Sequence, residues 1–211
     1  MLVELLAAAV AVVLTVVIVA SQLRAAPEPR AAGQGRREGA AAPTTAAGPP
    51  SPAAPPRVAG NLLADPGFEA GLGGWRAGGG ARLERVAEPR RGAWAASLLA
   101  GGPSAPAMGI GEAGRCRARR QYTVTVWLRA SHPGTLVRVD LGERSGGRRY
   151  AVDTAGAVLG GRGWQPIEVR HVTHRPGAAL ALEIAAVELP GGGRVLVDDL
   201  TLRESPGPPR P

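Results

Sequence analysis

The chain has 211 residues with 25 basic against 17 acidic groups, a formal charge of +8, and arginine as the only basic residue apart from three histidines. Aromatic residues make up 3% and there is one cysteine, so a core must rest on Val, Leu and Ala, and an internal disulfide is excluded. A basic chain can serve nucleic acid, but that chemistry needs aromatic rings interleaved with the arginines; they are too few here. The enrichment in Arg, Ala, Gly and Pro reads as codon bias, and no nucleic-acid partner is expected.

Leu5 to Ala20 is apolar except for Thr15, and with Met1–Val3 it gives about twenty residues interrupted by Glu4. At ~1.5 Å per residue this approaches the ~30 Å of a bilayer core. Residues 1–24 therefore read as an N-terminal hydrophobic helix, either a signal peptide or a transmembrane anchor, and a contact with the membrane. Val19-Ala20-Ser21 offers small residues to a peptidase. Arg24 lies behind the apolar run and no Lys or Arg precedes it, which alone would hold the downstream part in the cytoplasm. The composition of that downstream part points instead to export. Residues 25–60 form a Pro/Ala-rich disordered linker, clearest in Ala46 to Pro56, with too few bulky apolar groups to offset the entropy of ordering. Its prolines keep it extended, a spacer holding a domain off a surface. Residues 205–211 read as a short disordered tail.

Residues 61–204 carry β signals. Asn61 to Trp75 is a dense turn segment in which Asp65-Pro66-Gly67 supplies turn chemistry, Phe68 and Trp75 supply apolar anchors, and Glu69 is an acid in need of a partner. Alternation then runs through Arg82–Val86, and Trp94–Ala100 is a short apolar run. Tyr122, Val124, Val126 and Leu128 alternate with Thr123, Thr125, Trp127 and Arg129. Val137, Val139 and Leu141 alternate with Arg138 and Asp140; Ile167 and Val169 with Glu168 and Arg170; Leu180, Leu182 and Ile184 with Ala181 and Glu183. Short period-two segments between Gly- and Pro-rich breaks predict an all-β fold, an antiparallel β-sandwich. Gly78–Gly80 and Gly191–Gly193 are read as hairpin loops; neither precedes a helix, which argues against phosphate cradling.

The stretch from Asn61 through Asp65-Pro66-Gly67-Phe68-Glu69 to Trp75 resembles the opening of carbohydrate-binding modules of the four/nine group, within the galactose-binding-like jelly rolls. Tyr122–Ala130 resembles their middle strand, Gly163-Trp164-Gln165 the start of the next, and Val195–Leu202 their closing strand. The resemblance covers residues 61–204 in order and spacing. It implies a jelly-roll sandwich and a non-catalytic module that binds a polysaccharide or cell-wall glycan, extracellular or at the cell surface. The alternative is a structural or protein-interaction sandwich at the envelope without glycan binding.

The chemistry the residues offer depends on placement. If the first and last strands pair, Glu69 and Asp198-Asp199 can meet, and calcium takes six to eight oxygens from such groups. The resemblance implies a structural calcium on Glu69 and an aspartate of the closing pair; Asp198, on a face with Leu196, Leu200 and Leu202, is favoured over Asp199. The other reading is that these acids accept hydrogen bonds from loop N–H groups or an arginine. For sugar, Trp127 and Tyr150 are the candidate stacking rings, and Arg138 and Asp140 the candidate hydroxyl partners. Phe68, Trp75, Tyr122 and Trp164 read as packing residues. His171 and His174 are three apart on a strand, so they diverge and make no metal clip. Cys116, among Arg115, Arg117, Arg119 and Arg120, is a thiol whose pKa nearby arginines lower, and it reads as a lone structural or surface thiol. No catalytic residue is assigned.

Overall fold

Runs in which every second residue is Val, Leu or Ile fold as strands, because a pleated chain turns alternate side chains to one face. The computed structural model describes residues 60–102 and 104–208; the hydrophobic segment, almost all of the linker and the end of the tail lie outside the described residues. The described residues form ten strands: β1 (Arg76–Gly78), β2 (Arg82–Val86), β3 (Ala95–Leu99), β4 (Ala107–Arg115), β5 (Arg120–Ala130), β6 (Thr135–Ser145), β7 (Arg148–Leu159), β8 (Gln165–Val172), β9 (Ala179–Glu188) and β10 (Arg194–Pro206). Pairing is antiparallel throughout, in a first sheet of order β1-β4-β9-β6-β7 and a second of order β2-β3-β10-β5-β8. Among the described residues no helix is long and apolar enough to cross a membrane.

The inner faces close on one apolar core. Tyr122, Val124, Val126 and Leu128 of β5 meet Val137, Val139 and Leu141 of β6 and Leu180, Leu182 and Ile184 of β9, all buried, as the alternation predicts. Three strands were not among those predicted: β1, β4 and β7. In β4, Met108 and Ile110 alternate with Gly109 and Gly111, so the outward positions carry no side chain to mark the period. Gly78–Gly80 and Gly191–Gly193 are not hairpins but corners, since β1 and β2, and β9 and β10, belong to different sheets. The tight hairpin is β6–β7, where Gly146 (φ 56) and Gly147 (φ 78) give the two positive φ angles that match strand twist.

Two corrections concern the closing strand. It runs through Pro206, paired to Arg120, past the expected boundary at residue 204. It also bulges between Asp198 and Thr201, with Asp199 at φ 47. The extra residue reverses which side chains face inward. Val195 and Val197 face the core before the bulge, and Leu200 and Leu202 after it. Asp198 therefore shares a face with Leu196 but not with Leu200 or Leu202, and that face is the outer one, opposite Trp127 on β5.

The opening segment lies along β10. Leu62 N–H donates to Leu202 O (2.8 Å) and Leu200 N–H to Pro66 O (2.9 Å). The Asn61 side chain donates to Leu200 O and accepts from Leu202 N–H, both at 2.9 Å. The beginning and end of the domain are thus side by side.

One polar group is buried between the sheets. Glu143 of β6 and His171 of β8 are fully buried. Glu143 Oε1 lies 3.1 Å from His171 Nε2 and accepts from His174 N–H (2.6 Å), while Oε2 accepts from Arg175 N–H (2.8 Å). His171 Nδ1 lies 2.8 Å from Asp153 Oδ2 on β7. The histidine is a cross-link between sheets, and its ring lies 5.8 Å from that of His174, so the two do not diverge as their spacing on a strand suggested.

Cys116 is buried near this group, and burial together with the Glu143 charge pushes its thiol up from 9.0 to about 11. That reverses the lowering expected from its arginine neighbours, because Arg115, Arg117 and Arg119 turn into solvent. Folded protein at pH 8 is expected to resist iodoacetamide at Cys116 and to react fully in denaturant, as read by mass. A folded pKa above the unfolded one contributes stability present below 9.0 and lost as pH rises through about 11, so the melting temperature should fall across that window.

Candidate functional site

A sandwich keeps its chemistry on outer faces and loops, because its inner faces are apolar. On the outer face of the first sheet, one rung carries Arg76, Gly109, Glu183, Asp140 and Thr154 across β1, β4, β9, β6 and β7. The neighbouring rungs carry Ala107, Ala185, Arg138 and Gly156 on one side, and Ala181, Gly142 and Val152 on the other. The floor is thus largely glycine and alanine. Over β1, β4 and β9 it sinks to a groove of about 430 Å³ lined by Ala107, Gly109, Gly111 and Ala181 and by Arg76, Arg144, Arg149 and Glu183, with Arg138 and Asp140 outside the lining.

A four-membered ionic group stands in this face. Arg138 Nη2 lies 3.2 Å from Asp140 Oδ2 and 3.6 Å from Glu183 Oε1. Arg149 Nη2 lies 3.8 Å from Asp140 Oδ2 and 3.7 Å from Glu183 Oε2, beyond hydrogen-bond reach. Thr154 Oγ1 donates to Asp140 Oδ1 at 2.8 Å. Asp140 is buried, and Arg138 Nε is buried without a partner among the described residues.

The four residues expected to hold sugar do not form one site. Arg138 and Asp140 come together. Tyr150 does not join them: the β6–β7 ladder shifts register between Gly142 and Arg144, which puts Arg149 into the groove lining and leaves Tyr150 outside it, with the Arg175 guanidinium 3.7 Å over its ring. Trp127 is on the outer face of the other sheet. Alternation correctly turns it off the valine face, but β5 and β6, consecutive in the chain, lie in different sheets. Sequence reasoning missed Arg149, Glu183, Thr154 and the glycines of β4, whose signal was glycine at every second position.

Trp127 is covered. Residues 87–94, between β2 and β3, fold over the second sheet. Arg90 places its guanidinium 3.5 Å from the Trp127 ring centroid, and Glu88 pairs with Arg129 (2.9 Å) and Arg194 (2.7 Å). Trp94 and Trp164 lie likewise under Arg85 and Arg129, so a sugar stacking on these rings must first displace an arginine.

Glu69 and Asp198 peg this flap. Glu69 Oε1 accepts from Ala93 N–H (3.0 Å) and Trp94 N–H (3.3 Å). Asp198 Oδ2 accepts from Arg90 N–H (2.7 Å) and Arg91 N–H (3.1 Å), and Oδ1 from Asp199 N–H (2.7 Å). The two acids converge on Gly67: a Cβ there would stand 3.6 Å from Asp198 Oδ1 and 3.9 Å from Glu69 Oε1. Among the described residues neither has an ion-pair partner. Asp199 turns away, to the guanidinium groups of Arg90 and Arg91. Asp198 is fully buried, and burial pushes its carboxyl above the ordinary 3.8 against the opposing pull of its N–H donors. The other reading of these acids is thus the one whose bonds are seen: Glu69 and Asp198 accept from loop N–H groups, and Asp199 pairs with arginine. No group of three or more His, Cys, Asp or Glu able to hold a metal occurs among the described residues.

No protein-family model and no curated protein sequence matches the chain. Solved structures do. The CBM22-1 xylan-binding domain from Paenibacillus barcinonensis Xyn10C is similar at 17% identity and TM-score 0.55, over 67% of this chain and 93% of that one. TmCBM61, in complex with beta-1,4-galactotriose, is similar at 17% identity and TM-score 0.50, over 69% and 99%. A cyclase from Fischerella sp. TAU is similar at 13% identity and TM-score 0.56, over 70% and 97%. At these identities the likeness is one of fold: the domain is a β-sandwich of the jelly-roll kind found in carbohydrate-binding modules.

Proposed function

We propose that the chain is a non-catalytic carbohydrate-binding module of the four/nine group, exported and held at the cell surface by residues 1–24 and the spacer. It binds a polysaccharide or cell-wall glycan in the groove across β1, β4, β9 and β6. The observation that carries this reading is the groove itself, an open trough with a floor of glycine and alanine and a rung of hydrogen-bonding side chains. Glu183 and Arg149 bond sugar hydroxyls there, with Arg138 and Asp140 bracing them from beside the groove. The likeness to a xylan-binding domain and to a module holding a galactose trimer supports a polymer ligand.

Affinity electrophoresis against wall and plant polysaccharides tests it. A side chain at Gly111 meets only the flexible end of Arg144, at 3.5 Å, and fills the groove. Gly111→Leu is expected to keep the fold and to weaken binding at least about tenfold, a loss of about 1.4 kcal/mol. Unchanged mobility shifts in that variant would place the ligand elsewhere, and uniform absence of binding in the wild type would favour the protein-interaction reading.

The calcium belongs to the same proposal as a structural ion. Glu69 and Asp198 hold it, and its charge offsets the burial of Asp198. Without calcium, a folded pKa above 3.8 gives Asp198 a contribution present below that pH and lost as pH rises through its folded value. With calcium the ionised form is favoured and that loss is removed. The melting temperature at pH 7 is expected to rise with millimolar calcium over chelator in the wild type and not in Asp198→Asn. Equal melting with and without chelator in the wild type refutes the ion.

A further inference from the structure

The groove carries more positive than negative charge. Arg76, Arg144 and Arg149 line it against Glu183 alone. Arg76 and Arg144 have no acidic partner among the described residues. The Arg76 guanidinium rests on the Gly73 and Trp75 carbonyls, and Arg144 Nη2 on the Gly147 carbonyl at 3.3 Å. These neutral contacts fix the two guanidinium groups without cancelling their charge. Arg144 Nη1 reaches across β4, 3.5 Å from the point a Gly111 Cβ would occupy. Arg149 reaches its two acids only at 3.7 and 3.8 Å.

The lining also lacks any aromatic ring. A neutral sugar chain draws much of its affinity from stacking and hydroxyl bonds, and half of that means is missing. Guanidinium forks, by contrast, match planar anions through paired charge-assisted hydrogen bonds. Arg144 extends from β6 over β9 to Gly111 on β4, the strand beside β1, so with Arg76 on β1 and Arg149 on β7 the guanidinium groups flank the groove along its width.

Resting on the groove as the glycan site, we propose that the ligand is an acidic polysaccharide, its anionic groups clamped by Arg76 on one side and by Arg144 and Arg149 on the other. Carboxylated sugars and phosphate-bearing wall polymers share this chemistry.

The test is binding of the full chain to polygalacturonate, polyglycerol phosphate and neutral xylan by calorimetry. Either polyanion is expected to bind at least about tenfold more tightly than xylan at low salt, and to weaken several-fold between about 50 and 200 mM NaCl as screening grows. Whichever polyanion binds more tightly identifies the source of the charge. The double variant Arg76→Gln, Arg144→Gln should lose that preference, with its fold checked by circular dichroism. If Gly111→Leu abolishes binding while xylan and the polyanions bind alike and the double variant is unchanged, the acidic ligand is refuted and the groove stands. If Gly111→Leu leaves polyanion binding intact, the groove fails and the acidic assignment with it.

Discussion

Glu143→Ala is expected to destabilise the domain by about 3–5 kcal/mol, the cost of breaking a buried ionic group by removing one partner. In a domain of this size that is roughly 10 °C or more in melting temperature. The reason is local. Glu143 is the acceptor for two backbone N–H groups and faces the ring of a fully buried histidine. Alanine leaves both N–H groups and His171 Nε2 without a protein partner, His171 then being held only through Asp153, and each orphaned group costs about 1–3 kcal/mol. The same truncation at Glu168, whose pair with Arg170 is exposed, should cost at most about 1 kcal/mol. Thermal melts of the two variants side by side decide the matter. Equal, small shifts would mean that the contact between sheets at β6 and β8 contributes nothing beyond apolar packing.

The second large effect concerns the flap. Asp198→Ala removes the acceptor of three backbone N–H groups, those of Arg90, Arg91 and Asp199. The gross cost is several kcal/mol, and relief of a buried carboxylate offsets part of it, leaving about 2–3 kcal/mol. The more specific consequence is kinetic. Arg90-Arg91 is a tryptic site whose own N–H groups are held by Asp198. Under native conditions Asp198→Ala should make this the first bond cut, at least about tenfold faster than in the wild type, if its opening costs about 1.4 kcal/mol less. Mass analysis of early fragments reads it. A first cut elsewhere, at an unchanged rate, would show that the aspartate does not hold the flap.

Much of the fold was legible because its central strands obey period two. Val124, Val126 and Leu128, or Leu180, Leu182 and Ile184, declare their inward face without reference to anything distant. β4 and β7 were illegible for opposite reasons. β4 writes its outward positions as glycine, and β7 is an edge strand with a register shift and exposed Val152 and Val158. The bulge in β10 was hidden because Asp198-Asp199 reads as one more alternation until a residue is set aside.

The site was half legible. Arg138 and Asp140 stand two apart on one strand, so their meeting needs only the pleat. Trp127 required knowing which sheet each strand joins, and alternation within a strand carries no such information. Glu69 and Asp198 were drawn together by the expectation that the ends of the domain are neighbours. They are, though through an irregular segment along β10 and not through a regular first strand.

That segment has a mechanical meaning. A pull applied at residue 60 reaches Asn61 first, and Asn61 is tied to Leu200 and Leu202 in the middle strand of its sheet. There β10 is bonded to β5 on one side and, beyond its β3 pairing at Arg194–Val197, to the opening segment itself on the other, so a pull must break the bonds of Asn61 and Leu62 before it reaches β10. Tension from the N-terminal side of the domain is thereby led into a strand that is not at the rim of its sheet.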